Sequence, residues 1–457
     1  MNHSFKNQKL LMVLFALAAC SLLTTLFLQY VGEEGAFTIS SIEMWFHHNY
    51  LSPTTYGAPY GRPPLYNWCV IPIANLVGWP HMLVASRLVT WSATLLTALA
   101  LAGLAHHLFK QKTLSIFCGL AYFSFDILAR RGWLAYADPL FTLFIFCSIA
   151  GLIIAVNTHH YRWLVLALIS LSAAFLTKAL TAYVFYGGFL AVIFYYHNER
   201  RFLLHPWSLL LHLFAFGFPL LWYQTIAPGA EGHHMVNDIL HKLQSQNWLS
   251  YFLEVLTRPG ELFLRLLPLS IIALTALFKQ QAFIHPSQDK LILKIIALAT
   301  LLNYLPYWFS PHSHIRYIQP LYPFASLLIA YVIWHAKPVY LKVSIYSLAL
   351  LITLRFFAGW FWFPYYEKTY RGHYLEIAQK INAKVGHAAP LYVANPTAVG
   401  LSVVANLDIL RLPKPPIITA PSQPSGYTIA VVPNEQYGEI DTVYPSGNEK
   451  LYLLHRQ

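Results

Sequence analysis

The sequence predicts a polytopic α-helical membrane protein with about eleven transmembrane helices (range roughly 10–13), juxtamembrane helices and a small C-terminal α/β domain. Three observations lead there. Of 457 residues, 57% are hydrophobic and only 11% charged, against roughly 25% charged in a soluble domain. The mean hydropathy is +0.49, with 30 Phe, 30 Tyr and 13 Trp, more apolar surface than one water-facing globule can hide. Finally, apolar segments recur near residues 10–29, 65–79, 82–108, 114–129, 139–156, 163–177, 180–196, 204–226, 262–278, 291–309, 317–335 and 340–363.

The first segment follows Lys6 and Lys9. A signal peptide would show the same flank, and Leu17-Ala18-Ala19-Cys20 fits the box before a lipidated cysteine. The run continues through Leu28, about 20 residues, enough to cross roughly 30 Å of hydrocarbon, so an uncleaved first helix is expected. Lys and Arg in short loops set the orientation: Lys6/Lys9, Lys110/Lys112, Arg162, Arg200/Arg201, Lys279/Lys290 and Lys337/Lys342 belong on the cytoplasmic side. A crossing at 65–79 would flip every later loop. That segment, short and interrupted by Pro72 and Gly78, therefore reads as a juxtamembrane helix at the outer surface. The N-terminus then lies inside, and residues 30–81, 227–261 and the chain after Pro364 lie outside.

Residues 1–364 thus form the membrane domain. Tyr365–Gln457, with seven of the 18 acids, reads as an extracytoplasmic α/β unit. An amphipathic helix is expected over Tyr370–Val385, and strands over Pro390–Ala394, Pro416–Ala420, Tyr427–Val432 and Leu451–His455. The +12 formal charge comes from scattered bases, which argues against nucleic acid and for anionic lipid or a phosphorylated substrate. Cys20, Cys69, Cys118 and Cys147 have neither CxxC nor Cys/His spacing, so no disulfide framework or zinc cluster is expected.

Chemistry-bearing residues gather at the predicted outer ends of helices. Gly32-Glu33-Glu34-Gly35 follows the first span and precedes an amphipathic run, Phe37, Ile39, Ile42, Trp45 and Phe46, that could lie flat and hold an acid at the lipid boundary. The plain alternative is that the acids cap this helix. Tyr60-Gly61-Arg62-Pro63-Pro64-Leu65-Tyr66-Asn67-Trp68 offers a rigid turn and a guanidinium fork suited to phosphate, or an interfacial aromatic anchor. Asp138 before Pro139 could simply cap a helix. Lys178 and Arg316 could be snorkelling cations. Together these groups supply an acid to take a proton and cations to neutralise a leaving phosphate.

The order of these motifs resembles the C-type membrane glycosyltransferases, nearest to the dolichyl-phosphate-mannose protein mannosyltransferase and aminoarabinose (lipid A) transferase group. The resemblance covers most of residues 1–335. It rests on the acidic pair Glu33-Glu34, Arg62-Pro-Pro-Leu-x-x-Trp, Arg87 early in the next span, Asp138-Pro-Leu, Leu-Thr-Lys178 and Arg316-Tyr317-x-x-Pro-Leu-Tyr-Pro. It implies the C-type fold and transfer of a hexosyl or pentosyl group from a polyprenyl-phosphate donor to an envelope lipid, glycan or protein, with inversion. Glu33, where the family usually has Asp, or Glu34 would be the base and Asp138 a second site acid. Arg62 (usually Lys), Tyr66, Arg87, Lys178, Arg316 and Tyr317 would bind substrate, in a bacterial inner membrane.

No certain cofactor follows from the resemblance. Metal dependence is open, with His233-His234 or His312/His314 as candidate ligands. No DxD motif occurs, as suits a donor other than a nucleotide sugar. Two rival readings exist. A catalytically impaired scaffold or lipid-binding relative would account for Glu at position 33, and a secondary transporter would require internal repeats and mid-membrane ionisable groups.

Overall fold

The computed structural model describes residues 2–125, 132–178, 180–196, 200–226, 248–279, 287–310, 314–386, 389–394, 397–422, 424–446 and 449–456; each of the eleven expected spans contains helix there, but the one over 114–129 is helical to Tyr122, with 126–129 outside the described residues, and the one over 262–278 is broken after Arg265. Among the described residues, seven helical stretches are long and apolar enough to cross a membrane: Gln8–Thr25, Trp79–Phe109, Asp138–Thr158, Pro206–Gln224, Asp289–Phe309, Ile315–Trp334 and Pro338–Tyr370. Trp248–Arg265 and Leu269–Phe278 make an eighth if counted as one span bent by 101°. Lys112–Tyr122, Tyr161–Thr177 and Thr181–Tyr196 are shorter, with 11, 17 and 16 residues. The helix Leu65–Val77, 13 residues with Pro72 inside, rises only about 20 Å at 1.5 Å per residue, too short for the hydrocarbon.

One apolar core runs through the bundle. Asp138–Thr158 is its most enclosed span, 83% buried, packed against neighbours by rings such as Phe146 on Phe324 and Phe141 on Phe185. Peripheral spans turn bare Leu and Phe outward, for example Leu213, Phe214, Leu350 and Leu354. Such surface is stable only in lipid. The chain is an integral membrane protein.

At the C-terminus, helix Tyr374–Val385, strand Leu391–Ala394, helix Ala398–Arg411 and four further strands form an α/β unit. The sheet order is Ile418–Thr419, Leu391–Ala394, Gly426–Ala430, Glu449–Arg456, Glu439–Ser446. The first three strands run parallel and the last two join antiparallel. The helix over 398–411 and the strand over 439–446 were not expected. In Val399, Val403 and Val404, β-branched residues hide a helical stripe. In Glu439–Ser446 charge and Pro445 disguise a strand at the sheet edge.

The helix Glu34–Phe46 differs most from expectation. It does not lie flat on lipid: eleven of its 13 residues are buried. Phe37 packs into the membrane-domain core, whereas Ile39 belongs to the core of the C-terminal unit with Val403, Val404 and Ile377. A Cβ on Gly35 would sit 2.5 Å from the Leu401 carbonyl oxygen, so glycine is required at this crossing. The hairpin Thr54–Thr55/Ala58–Pro59 caps the open sheet edge, with the Thr419 N–H donating to Tyr56 O at 3.1 Å. Such cover protects an edge strand from stray pairing. Loop 30–81 and the C-terminal unit therefore share one core.

Candidate active site

Two of the predicted residues form the foundation of the site. Arg87, fully buried, donates from Nε to Glu34 Oε1 (3.0 Å) and from Nη2 to Oε2 (2.7 Å), the bidentate geometry a guanidinium favours. Its remaining N–H groups point at the carbonyls of Thr25, Leu26, Leu28 and Gln29, which end the first helical span. Trp133 lies 5.0 Å from the guanidinium. Glu34 also accepts from the N–H of Val31 (2.7 Å) and Ala135 (2.6 Å). Each carboxylate oxygen thus accepts two bonds, which fills the acceptor capacity of the group. Glu34 is 0% exposed and offers no lone pair to an incoming molecule.

The neighbouring Glu33 is the opposite case. Its side chain is 48% exposed and its Oε2 lies 3.6 Å from Arg316 Nη1. It sits at the N-cap position of Glu34–Phe46 but makes no side-chain capping bond, so capping does not account for it. The backbone is fixed instead: the Glu33 N–H donates to Tyr136 OH (3.0 Å), which donates to Val31 O (3.3 Å). Gly32 has φ +60°, and a Cβ there would meet Tyr136 OH at 2.8 Å. Only glycine fits this turn.

Asp138 is the first residue of its helix, ahead of Pro139, and the N-cap position is taken by Ala137, so Asp138 is not the cap. Its carboxylate pairs with Lys178, which follows the Tyr161–Thr177 helix. The Lys178 ammonium lies 5.2 Å from the Tyr317 ring and 5.5 Å from the Phe141 ring. Arg62 rests 5.2 Å from both the Phe37 and Tyr60 rings, and its charge, like that of Arg316, acts on Asp138. Tyr60 feels Arg62, Glu33 and Arg316, and burial pushes its phenol up, keeping it a neutral hydrogen-bonding group. Three cations and two carboxylates therefore meet where several helices end, with a net positive balance suited to an anion.

Tyr66 is placed differently. It is 1% exposed, donates to Ser86 O at 3.1 Å and packs edge-on against Phe37, one layer behind the cluster. Tyr60, Tyr136 and Trp133 stand at the site although sequence reasoning gave them no role. Their signal was adjacency, since Tyr60 and Tyr136 flank Arg62 and Asp138 by two residues each. Among the described residues, no group of three or more His, Cys, Asp or Glu stands close enough to hold a metal. His314 is at the start of the Ile315–Leu321 turn, with its ring 5.8 Å from Tyr317. His233, His234 and His312 lie outside the described residues.

No family model matches the chain. The undecaprenyl phosphate-α-4-amino-4-deoxy-L-arabinose arabinosyl transferases of Pseudomonas aeruginosa (strain UCBPP-PA14) and Pseudomonas paraeruginosa are each 27% identical over 160 residues. The match spans 34% of this chain and 29% of those relatives' length. Among solved structures, ArnT from Cupriavidus metallidurans bound to undecaprenyl phosphate superposes with a TM-score of 0.73 at 13% identity, covering 97% of each chain. The archaeal oligosaccharyltransferase AglB from Archaeoglobus fulgidus, in complex with an inhibitory peptide and a dolichol-phosphate, gives 0.53 at 11% identity, covering 92% of this chain and 69% of that one. The chain has the fold of the C-type membrane glycosyltransferases, in the form seen in ArnT.

Proposed function

We propose that the protein transfers a sugar from a polyprenyl-phosphate donor to an acceptor hydroxyl or amine on the outer face of a bacterial inner membrane. The N-terminus is then cytoplasmic and the C-terminal unit extracytoplasmic. The observation that carries this reading is the pairing of roles at one spot. A half-exposed carboxylate, Glu33, stands 3.6 Å from Arg316, beside the Lys178–Asp138 pair and Arg62, while Glu34 is locked beneath by Arg87. The fold shared with ArnT over 97% of the chain supports it.

In this mechanism Glu33 takes the acceptor proton as its oxygen or nitrogen forms a bond to the anomeric carbon. The bond from that carbon to the phosphate oxygen breaks, and the electron pair leaves with the polyprenyl phosphate. Attack opposite the leaving group inverts the carbon. Arg62, Lys178 and Arg316 meet the phosphate, whose charge grows as the bond breaks. Asp138 holds Lys178 in place. The isoprenoid tail runs along the apolar groove of about 200 Å³ lined by Leu262, Leu266, Tyr304, Ile318 and Leu321, which begins two residues from Arg316.

The test is transfer of labelled sugar from a panel of undecaprenyl-phosphate donors, with membranes carrying the wild-type chain or Glu33→Gln. Transfer by the wild type that is lost in the variant supports the reading. No transfer by either protein across the panel refutes it and favours a lipid-binding scaffold.

A further inference from the structure

We infer that the helix Trp248–Arg265 lies along the membrane surface on the side of the candidate site, with one long face dissolved in the lipid leaflet. The leaflet thereby holds the end of the span that leads toward Arg316. The inference concerns lipid contact and does not depend on sugar transfer.

At 3.6 residues per turn, this helix divides into two arcs. Trp248, Leu249, Phe252, Leu253, Leu256 and Leu264 share one side, and all six are exposed. Ser250, Glu254, Thr257, Glu261 and Arg265 share the other. None of the 18 residues is buried, so neither arc is spent on the protein's own core. Water on both sides would leave a continuous apolar strip uncovered. A lipid boundary matches both arcs, hydrocarbon to one and water to the other.

A third, narrow edge holds the helix and sets its direction. Tyr251 OH donates to Phe309 O at 2.9 Å, and Trp308 Nε1 donates to Val255 O at 2.8 Å. Arg258 Nη1 donates to Trp308 O at 2.9 Å, to Tyr307 O at 3.3 Å and to the Ser310 carbonyl. Residues 251–258 cover about 10 Å of helix, yet these bonds reach only residues 307–310. The helix therefore crosses the end of the span Asp289–Phe309 instead of running beside it. That span has 21 residues, about 31 Å at 1.5 Å per residue, so its end marks the boundary of roughly 30 Å of hydrocarbon. Beyond Arg265 the chain bends by 101° into Leu269–Phe278, which packs into the membrane-domain core through Leu269, Ile272 and Ala273. Ile271, Leu274 and Phe278 on that helix are exposed, so the apolar arc continues a surface that already faces lipid.

The charges say what kind of lipid contact this is. Glu254 pairs with Arg258 at 2.6 Å and Glu261 with Arg265 at 2.9 Å, and the helix carries no other charged side chain. Its net charge is zero, so burial of the apolar arc drives the contact and head-group charge does not select it. Arg258 also explains the consequence for the site. The last carbonyls of a helix have no partner within it, and Arg258 occupies those of Tyr307 and Trp308. The chain then runs from Ser310 to the turn that carries Arg316. A helix seated in the leaflet thus keeps the approach to Arg316 in place.

The experiment places a benzophenone side chain at position 250, 253, 256 or 257 of the full chain, one at a time, in nanodiscs of phosphatidylcholine or phosphatidylglycerol. After irradiation, lipid adducts are counted by mass spectrometry. Positions 253 and 256 are expected to give at least about fivefold more lipid adduct than 250 and 257, in both kinds of disc. In a second measurement, Leu253→Glu with Leu256→Glu should speed amide hydrogen exchange over residues 303–309 by about tenfold. Exchange within Asp138–Thr158 should stay as in the wild type, which shows that the bundle is folded. Adducts to protein in place of lipid at 253 and 256 would overturn the inference and give the face to a partner or to another part of the chain. Equal lipid adduct at all four positions, adduct in phosphatidylglycerol alone, or unchanged exchange over 303–309 would also overturn it.

Discussion

Two adjacent glutamates stand in opposite surroundings at the candidate site. Glu34 is saturated by Arg87 and two backbone N–H groups; Glu33 is half exposed beside Arg316. Removing one member of a buried ion pair leaves an uncompensated charge and costs about 3–5 kcal/mol. Glu34→Gln and Arg87→Met should therefore lower the melting temperature and the yield of folded protein, measured by fluorescence-detected size exclusion. Glu33→Gln should leave both unchanged. The sequence located the acidic pair and Arg87 but not which acid was buried. That choice depends on Ala135 and Tyr136, about 100 residues away, which a linear motif does not contain.

At the scale of elements, the Glu34–Phe46 helix is a wedge between the membrane domain and the C-terminal unit. Gly35→Val would push a side chain into the Leu401 carbonyl, 2.5 Å from even a Cβ. The expected outcome is undocking, read as faster proteolytic cleavage near Arg371 and Lys380 in membranes and a lower melting temperature. Gly32→Ala would strain a φ of +60° and press on Tyr136 OH, shifting the Glu33 backbone. It should reduce transfer about tenfold or more with little loss of folded protein, in a paired assay of rate and yield. The amphipathic run was legible as a helix by its spacing. Its second buried face was not, because Ser41 and Glu43 look like solvent residues until Asn67 of the Leu65–Val77 helix donates to Ser41 and the hairpin's Thr54 and Gly57 donate to Glu43. The longest spans were legible because hydropathy alone dictates them.

Across the whole molecule, the joint between loop 30–81 and the C-terminal unit contains buried acids. Asp408 is 3% exposed; Oδ1 accepts the Ile417 N–H at 2.9 Å, whereas Oδ2 has no hydrogen-bond partner. Burial pushes its carboxyl well above the usual range, and burial pushes Glu43 up as well. A carboxyl whose folded-state value is raised favours the folded state while protonated, and that advantage fades as pH rises from the ordinary carboxylate value toward the raised one. The protein should thus lose melting temperature as pH rises above the ordinary carboxylate value, and Asp408→Asn should reduce the loss by about 2 °C or more, the change expected for roughly 1 kcal/mol. An equally steep loss in Asp408→Asn would place the titrating group elsewhere. In the proposed reaction Glu33 is the proton acceptor in sugar transfer and Glu34 only holds the site together. The most direct measurement is the single-turnover transfer rate per folded molecule, in nanodiscs, for wild type, Glu33→Gln and Glu34→Gln. A loss of about 10²–10⁴-fold is expected for Glu33→Gln, with Glu34→Gln losing mainly folded protein. Wild-type rates in Glu33→Gln would contradict it.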